Sequence, residues 1–175
     1  MEENYQDIPG LWYIENYLSE SESQEFKNYM VNVKLEPISN APTSRRVAHF
    51  GYYYSYDKSG LKPATSIPEW LSDLIDPNLP VSADFNQIII NEYKPGQQIA
   101  YHTDHLQLFG PVIACVTVGE SIPISFRHDN IVKKLNIKSG SMYIMTKDSR
   151  YLWQHSLKNN TSNTRYSITY RTVNK

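Results

Sequence analysis

Residues 85–104 read FNQIIINEYKPGQQIAYHTD, and this stretch decides the fold class. Successive side chains of extended backbone point to opposite faces, so a strand over 85–93 has Ile88 and Ile90 on one face. Asn91 and Tyr93, two residues apart, share the other. Pro95-Gly96 then turns the chain, and a second strand runs from Gln98 to His102. His102 and Asp104 are also two apart, which puts an imidazole and a carboxylate on one side of the backbone, where both can reach one ion.

The same β-branched and aromatic signature recurs downstream in Val112 to Val118, Pro123 to Arg127, Val132 to Ile137, Ser141 to Met145 and Arg165 to Val173. Gly110-Pro111, Gly119, His128 to Asn130, Ser139-Gly140 and Asn159-Asn160 separate these runs. Seven or more short strands predict a sandwich or a barrel. Upstream, Ser19 and Glu22 have the form of a capping box, with Phe26, Tyr29, Met30 and Val33 at helical spacing, which predicts a helix over about 20–32. Ser66, Pro68 and Glu69 open a second helix ending near Ile75. Between the helices, Arg45 to Tyr56 reads as an extended or loop segment dense in aromatics, a candidate lid over about 43–60. An immunoglobulin-like sandwich is the competing architecture. Two leading helices and functional residues at strand ends favour a mainly β, α+β chain with a double-sheet jelly-roll core over about 85–173.

Composition sets the remaining bounds. A chain of 175 residues fits one domain over 1–175 with a full core. No apolar run approaches the roughly 20 residues of a membrane span. Glu2, Glu3 and Asp7 are the wrong charge for a signal peptide, so an intracellular location, cytoplasmic or nuclear, is expected. Cys115 is the only cysteine, which excludes a disulfide within the chain and a cysteine-based zinc site. Any metal must be held by nitrogen and oxygen. A net charge of -1 excludes a uniformly basic nucleic-acid coat but not a local basic patch.

His155 supplies a third candidate ligand, followed by Arg165 and Arg171. The separation of the two arginines places both guanidiniums on one face of the last strand with Ser167 and Thr169, while Tyr166, Ile168 and Tyr170 face the other way. Arginines inside a barrel are costly unless each meets an anion, and a dicarboxylate suits their bidentate fork. Two imidazoles and one carboxylate leave coordination positions open, the facial arrangement of non-haem Fe(II) oxygenases.

In order, Asn91-x-Tyr93-x-Pro95-Gly96, His102-x-Asp104, a distant His155, and Arg165 with five residues before Arg171 resemble the AlkB family of Fe(II)/2-oxoglutarate dioxygenases over residues 43–173. The resemblance implies iron held by His102, Asp104 and His155. It implies Arg165, helped by Tyr93, on the remote carboxylate of 2-oxoglutarate. Arg171 and Asn91 would lie near its metal-chelating end, and Ser167 would add a hydrogen bond. In that family O₂ and 2-oxoglutarate yield succinate while a substrate C–H bond is hydroxylated, and a hydroxylated N-methyl group falls off as formaldehyde.

The segment Gly51-Tyr52-Tyr53-Tyr54-Ser55 resembles the family's nucleotide-recognition loop, in which the first tyrosine meets a phosphate near the flipped base. Arg45, Arg46 and Lys58 give it local positive charge, so Arg45, Arg46, Tyr52, Tyr54 and Leu106 are expected to face substrate. Two positions depart from the bacterial repair members. Arg45 stands where they carry a base-stacking tryptophan, and Leu106 stands where they carry a carboxylate that reads a methylated amine. Arg45 to Tyr52 and Ser149 to His155 are most similar to the branch that hydroxylates a tRNA wobble-uridine side chain. The resemblance implies a nucleic-acid partner, either RNA, tRNA foremost, or single-stranded or alkylated DNA. It also implies an RNA-binding or methyltransferase partner for a chain lacking both domains. A protein or small-molecule hydroxylase, or a binder without chemistry, are the alternatives.

Overall fold

The β-branched and aromatic runs build two antiparallel sheets around a shared apolar layer. In the computed structural model, which describes residues 1–55 and 60–174, the strands are β1 (Glu2–Glu3), β2 (Leu11–Ile14), β3 (Glu36–Pro37), β4 (Arg46–Phe50), β5 (Tyr52–Ser55), β6 (Gly60–Pro63), β7 (Gln87–Tyr93), β8 (Gln98–His102), β9 (Ile113–Gly119), β10 (Ile122–His128), β11 (Ile131–Ile137), β12 (Met142–Met145), β13 (Gln154–Lys158) and β14 (Arg165–Arg171). The helices are α1 (Glu20–Met30), α2 (Glu69–Ser72) and α3 (Lys147–Tyr151). The large sheet runs β1-β2-β12-β9-β14-β7-β4-β3, the small one β11-β10-β13-β8, and β5 pairs with β6 alone. These are the two sheets of a jelly roll.

Two apolar layers hold them. Between the sheets, Tyr13, Ile113 and Met145 of the large sheet pack with Ile124, Phe126, Leu135 and Leu157 of the small one. On the outer face of the large sheet, Phe26 and Met30 of α1 and Leu71 of α2 cover Ile88, Ile90, Val116, Ile168 and Tyr170. With both faces covered, all seven residues of β7 are buried, the polar Gln87, Asn91 and Glu92 included. Each apolar side chain buried in these layers contributes about 1.5–3 kcal/mol. The alternation expected for β14 is present: Ile168 and Tyr170 face the helices, and Ser167, Thr169 and Arg171 face the space between the sheets.

The capping box of α1 forms as read, with Ser19 Oγ accepting from Glu22 N at 3.1 Å and Glu22 Oε2 accepting from Ser19 N at 2.7 Å. The helix ends at Met30, not near 32, because Asn32 and Val33 donate to Tyr29 and Met30 in tighter, three-residue turns. The second helix is shorter than expected for the same reason, since Leu74 and Ile75 bond back to Leu71 and Ser72.

Part of the candidate lid is built into the large sheet. Arg46–Phe50 is an inner strand, paired with β7 on one side and β3 on the other, so only β5 and β6 stand clear of the large sheet. Tyr56 and Lys58 lie outside the described residues. Gly51 makes the corner between β4 and β5. Its φ is +79°, and a β-carbon there would sit 2.1 Å from Asn86 O, so only glycine fits. Gly51→Ala is expected to cost about 2–3 kcal/mol from left-handed strain and the forced backbone shift, read as a lowered urea midpoint at unchanged m.

Candidate metal centre and co-substrate cavity

His102 closes β8, Asp104 follows in the next loop, and His155 lies on β13. Strand pairing sets His155 directly opposite His102, with ring centroids 4.3 Å apart. Their Nε2 atoms lie 4.0 Å and 3.7 Å from Asp104 Oδ1, and the three donor atoms are all within 4.8 Å of one another. His102 Nδ1 sits 2.8 Å from Ala100 O. A carbonyl only accepts, so Nδ1 carries the proton and Nε2 presents its lone pair towards Asp104.

Electrostatics keep the set in its ligating form. Burial, then the neighbouring His102, lowers the pKa of His155 to about 3, so its imidazole is neutral at pH 7. Burial alone would raise Asp104, but Arg171, followed by His155 and His102, outweighs it and holds the carboxyl at about 2. Two imidazoles and a carboxylate on one side of a cavity are the facial donor set suited to Fe(II). The residues present fit that metal.

The cavity beside the donors has a volume of about 380 Å³. Asn91, Tyr93, Ser167 and Arg171 all line it, so the strand-face reading brings these four together with the metal donors. Arg165 is fully buried behind them, donating to Ser167 Oγ at 2.6 Å and Thr117 Oγ1 at 3.0 Å. Its Nε has no partner among the described residues, and no carboxylate there forms an ion pair with it. Such a guanidinium is costly unless an anion reaches its surroundings. Arg171 already has one: Nη1 donates to Asp104 Oδ2 at 2.8 Å and Nε to Gln87 Oε1 at 2.8 Å, while Nη2 is unpartnered among the described residues. Its guanidinium also stacks 3.9 Å from the Phe109 ring centroid.

Of the residues expected to face substrate, Arg45 and Tyr54 line the cavity. Arg45 Nε donates to Asn91 Oδ1 at 2.8 Å. Arg46, one residue on, lies on the opposite face of the sheet and pairs with Glu92 through two bonds of 2.7 and 2.9 Å. Tyr52 is outside the cavity lining, its carbonyl accepting from Gln87 Nε2 at 3.2 Å. Leu106 also lies outside the lining and is 47% exposed. A larger groove of about 900 Å³ behind β4 is lined by none of the expected site residues; the smaller cavity, which holds the donors, is where the chemistry sits.

Three structural features go beyond the sequence reading. Gln87 and Thr117 supply bonds to Arg171 and Arg165 from neighbouring strands, visible only once register is known. His49 Nδ1 accepts from Tyr54 N at 3.3 Å, tying β5 to β4. Most consequential is Arg150, 1% exposed, whose guanidinium donates to the carbonyls of Asp104, His105, Phe109 and Gly110 at 2.9–3.1 Å. It clamps the loop carrying Asp104 from the helix that leads into His155. The apolar surroundings of an arginine in Ser149 to His155 were the available signal. Arg150→Lys, which cannot reach four carbonyls, is expected to weaken Co(II) binding about 10- to 100-fold, read from the visible absorption of the cobalt-loaded protein.

Comparison with known proteins agrees with this geometry. A family model described as the 2OG-Fe(II) oxygenase superfamily matches residues 10–171. The chain is 29% identical over 160 residues to tRNA (carboxymethyluridine(34)-5-O)-methyltransferase ALKBH8 of Macaca fascicularis, covering 85% of this chain and 24% of that protein; it thus spans about a quarter of that relative. It is 29% identical over 122 residues to the probable RNA/DNA demethylase ALKBH6 of Danio rerio, covering 67% of this chain and 50% of the other. The structure of OsALKBH1 superimposes with a TM-score of 0.71 at 14% identity, over 94% of this chain and 98% of that one, which supports the fold. Matched along nearly its whole length, the chain belongs to the 2OG-Fe(II) oxygenase superfamily as an AlkB-family dioxygenase that works with Fe(II) and 2-oxoglutarate.

Proposed function

We propose that this dioxygenase oxidises a nucleobase modification in nucleic acid, with the wobble-uridine side chain of tRNA as the first substrate class and oxidative demethylation of an alkylated base as the second. One observation carries the reading: Arg45, a cation bonded to Asn91, forms the rim of the metal cavity beside Tyr54. A cation and an aromatic ring at the mouth suit a nucleotide drawn out of its stack. The named activities of the relatives ALKBH8 and ALKBH6 point the same way.

In this reading His102, Asp104 and His155 hold the iron. Bound together, iron, O₂ and 2-oxoglutarate supply the oxidation, giving succinate, CO₂ and a hydroxylated C–H bond. Arg165 and Tyr93 fix the remote carboxylate. Asn91 and Arg171 flank the chelating end, Ser167 lends its hydroxyl, and Arg171 keeps Asp104 ionised and aimed. Arg45, Tyr54 and Tyr52 meet the nucleotide, while Arg46 serves by fastening β4 to β7 through Glu92. An RNA-binding or methyltransferase partner shares the recognition of a whole tRNA.

Succinate release with Fe(II) tests this against a panel of wobble-modified tRNA and methylated single-stranded oligonucleotides. Wobble-modified tRNA is expected to stimulate turnover most. Arg45→Ala is expected to lower turnover on nucleic acid about tenfold, the worth of one charged contact, with KM for 2-oxoglutarate unchanged. Stimulation by methylated oligonucleotides alone would move the assignment to demethylation. Stimulation by no nucleic acid would refute the reading.

A further inference from the structure

The four strands of the small sheet contain no aspartate or glutamate, although the whole chain is slightly acidic. They carry Arg127, Lys133, Lys134 and Lys158. Alternation assigns their faces: Ile124, Phe126, Leu135 and Leu157 enter the core, so Arg127, Lys134 and Lys158 point outward. Lys133 turns the other way and donates to Gln6 O. The flanking carboxylates are elsewhere, since Glu120 and Asp129 sit in the turns at either end of β10 and Asp104 points into the metal cavity.

That outward face is grooved as well as basic. A depression of about 490 Å³ has Ala100, Ser125 and Ser156 among its floor residues, with Lys134 and Lys158 on it. Tyr101 lines both this groove and the metal cavity, so β8 is a shared rim between them. The Arg127 guanidinium stacks 3.9 Å from the Tyr101 ring centroid and donates to Gln154 Oε1 at 2.7 Å, which fixes a cation against the ring that groove and cavity share. Lys134 on β11 and Lys158 on β13 are separated by β10, roughly 10 Å across the sheet. Small neutral floor residues between them leave room for a backbone to lie flat.

We propose that the outward face of the small sheet is the track for the phosphate backbone of the single strand that flanks the target nucleotide, running from the Tyr101–Arg127 corner past Lys134 to Lys158. The inference rests on the nucleic-acid reading above and names the surface that reading lacks, since Arg45 and Tyr54 engage the target nucleotide alone. On the track, Arg127, Lys134 and Lys158 displace counterions condensed on the phosphates. Tyr101 offers a ring face to the base next to the one taken into the cavity.

Charge reversal separates the two claims. Binding of a fluorescein-labelled stem–loop RNA is measured against salt for wild type, for Lys134→Glu with Lys158→Glu, and for Lys27→Glu with Lys34→Glu, which makes the same charge change on and beside α1. The track variant is expected to bind at least about tenfold more weakly and to lose about 1.4 from the slope of log affinity on log salt, two contacts at about 0.7 each. The α1 variant is expected to bind as wild type. Succinate release on a uridine trinucleotide carrying the modification, too short to reach Lys134 or Lys158, should be unchanged in both. Wild-type affinity in the track variant, or equal loss in the α1 variant, overturns the track while leaving the enzyme's substrate class intact. Failure of every RNA to bind wild type overturns both.

Discussion

The register between β8 and β13 is the constraint on which the rest depends. His102 and His155 are far apart in sequence, and they share one ion only if the two strands pair with those residues opposite. A slip of one residue would turn an imidazole to the solvent face and put its neighbour in the cavity. The pairing is secured from both sides: Phe126 of β10 lies opposite His155 and packs in the core, and Leu157 is buried two residues on, beyond a register shift. Asp104 cannot be placed by strand pairing because it lies past the end of β8. Arg171 orients its carboxylate and Arg150 clamps its backbone, which makes two buried arginines the means by which a loop acquires the precision of a strand.

The distribution of buried charge then accounts for the chemistry. Arg150 spends its hydrogen bonds on main-chain carbonyls, and Arg171 spends one on the metal-site carboxylate, so both are stable before any small molecule enters. Arg165 is different. Its described partners are two hydroxyls, one nitrogen is unpartnered among the described residues, and it is fully buried, bonded to the Ser167 hydroxyl that lines the metal cavity. In the proposed reading, a dianion held at the metal donors brings its remote carboxylate towards this guanidinium. The buried cation, more than the cavity's size, then favours a 2-oxo dicarboxylate.

Much of this was legible in the sequence wherever a residue's neighbours carried a period. Ser167 and Thr169 alternate with Ile168 and Tyr170, and Asn91 and Tyr93 alternate with Ile90, so the polar inner faces of β14 and β7 could be read directly. The spacing of His102 and Asp104 and the capping box of α1 were equally plain. What escaped had no period to show. In β13 only Leu157 is an apolar side chain facing the core, so the strand around His155 could not be read. Arg46 belongs to an inner strand because Glu92 of β7 neutralises it, a partner forty-six residues away. Leu11 to Ile14 forms a strand by adding to β12, which nothing nearby in sequence announces. Arg150 acts on carbonyls, and carbonyls are the same at every position.

The most direct test of the central claim is an anaerobic titration of the purified protein with Fe(II) and then 2-oxoglutarate, followed by visible absorption. A keto acid chelated to iron through one carboxylate and its carbonyl gives a metal-to-ligand charge-transfer band that neither component gives alone. The account predicts that band at one equivalent of each in wild type, its loss in Asp104→Ala, and a weakened dependence on 2-oxoglutarate in Arg165→Met. Absence of the band in folded, iron-loaded wild type would contradict it.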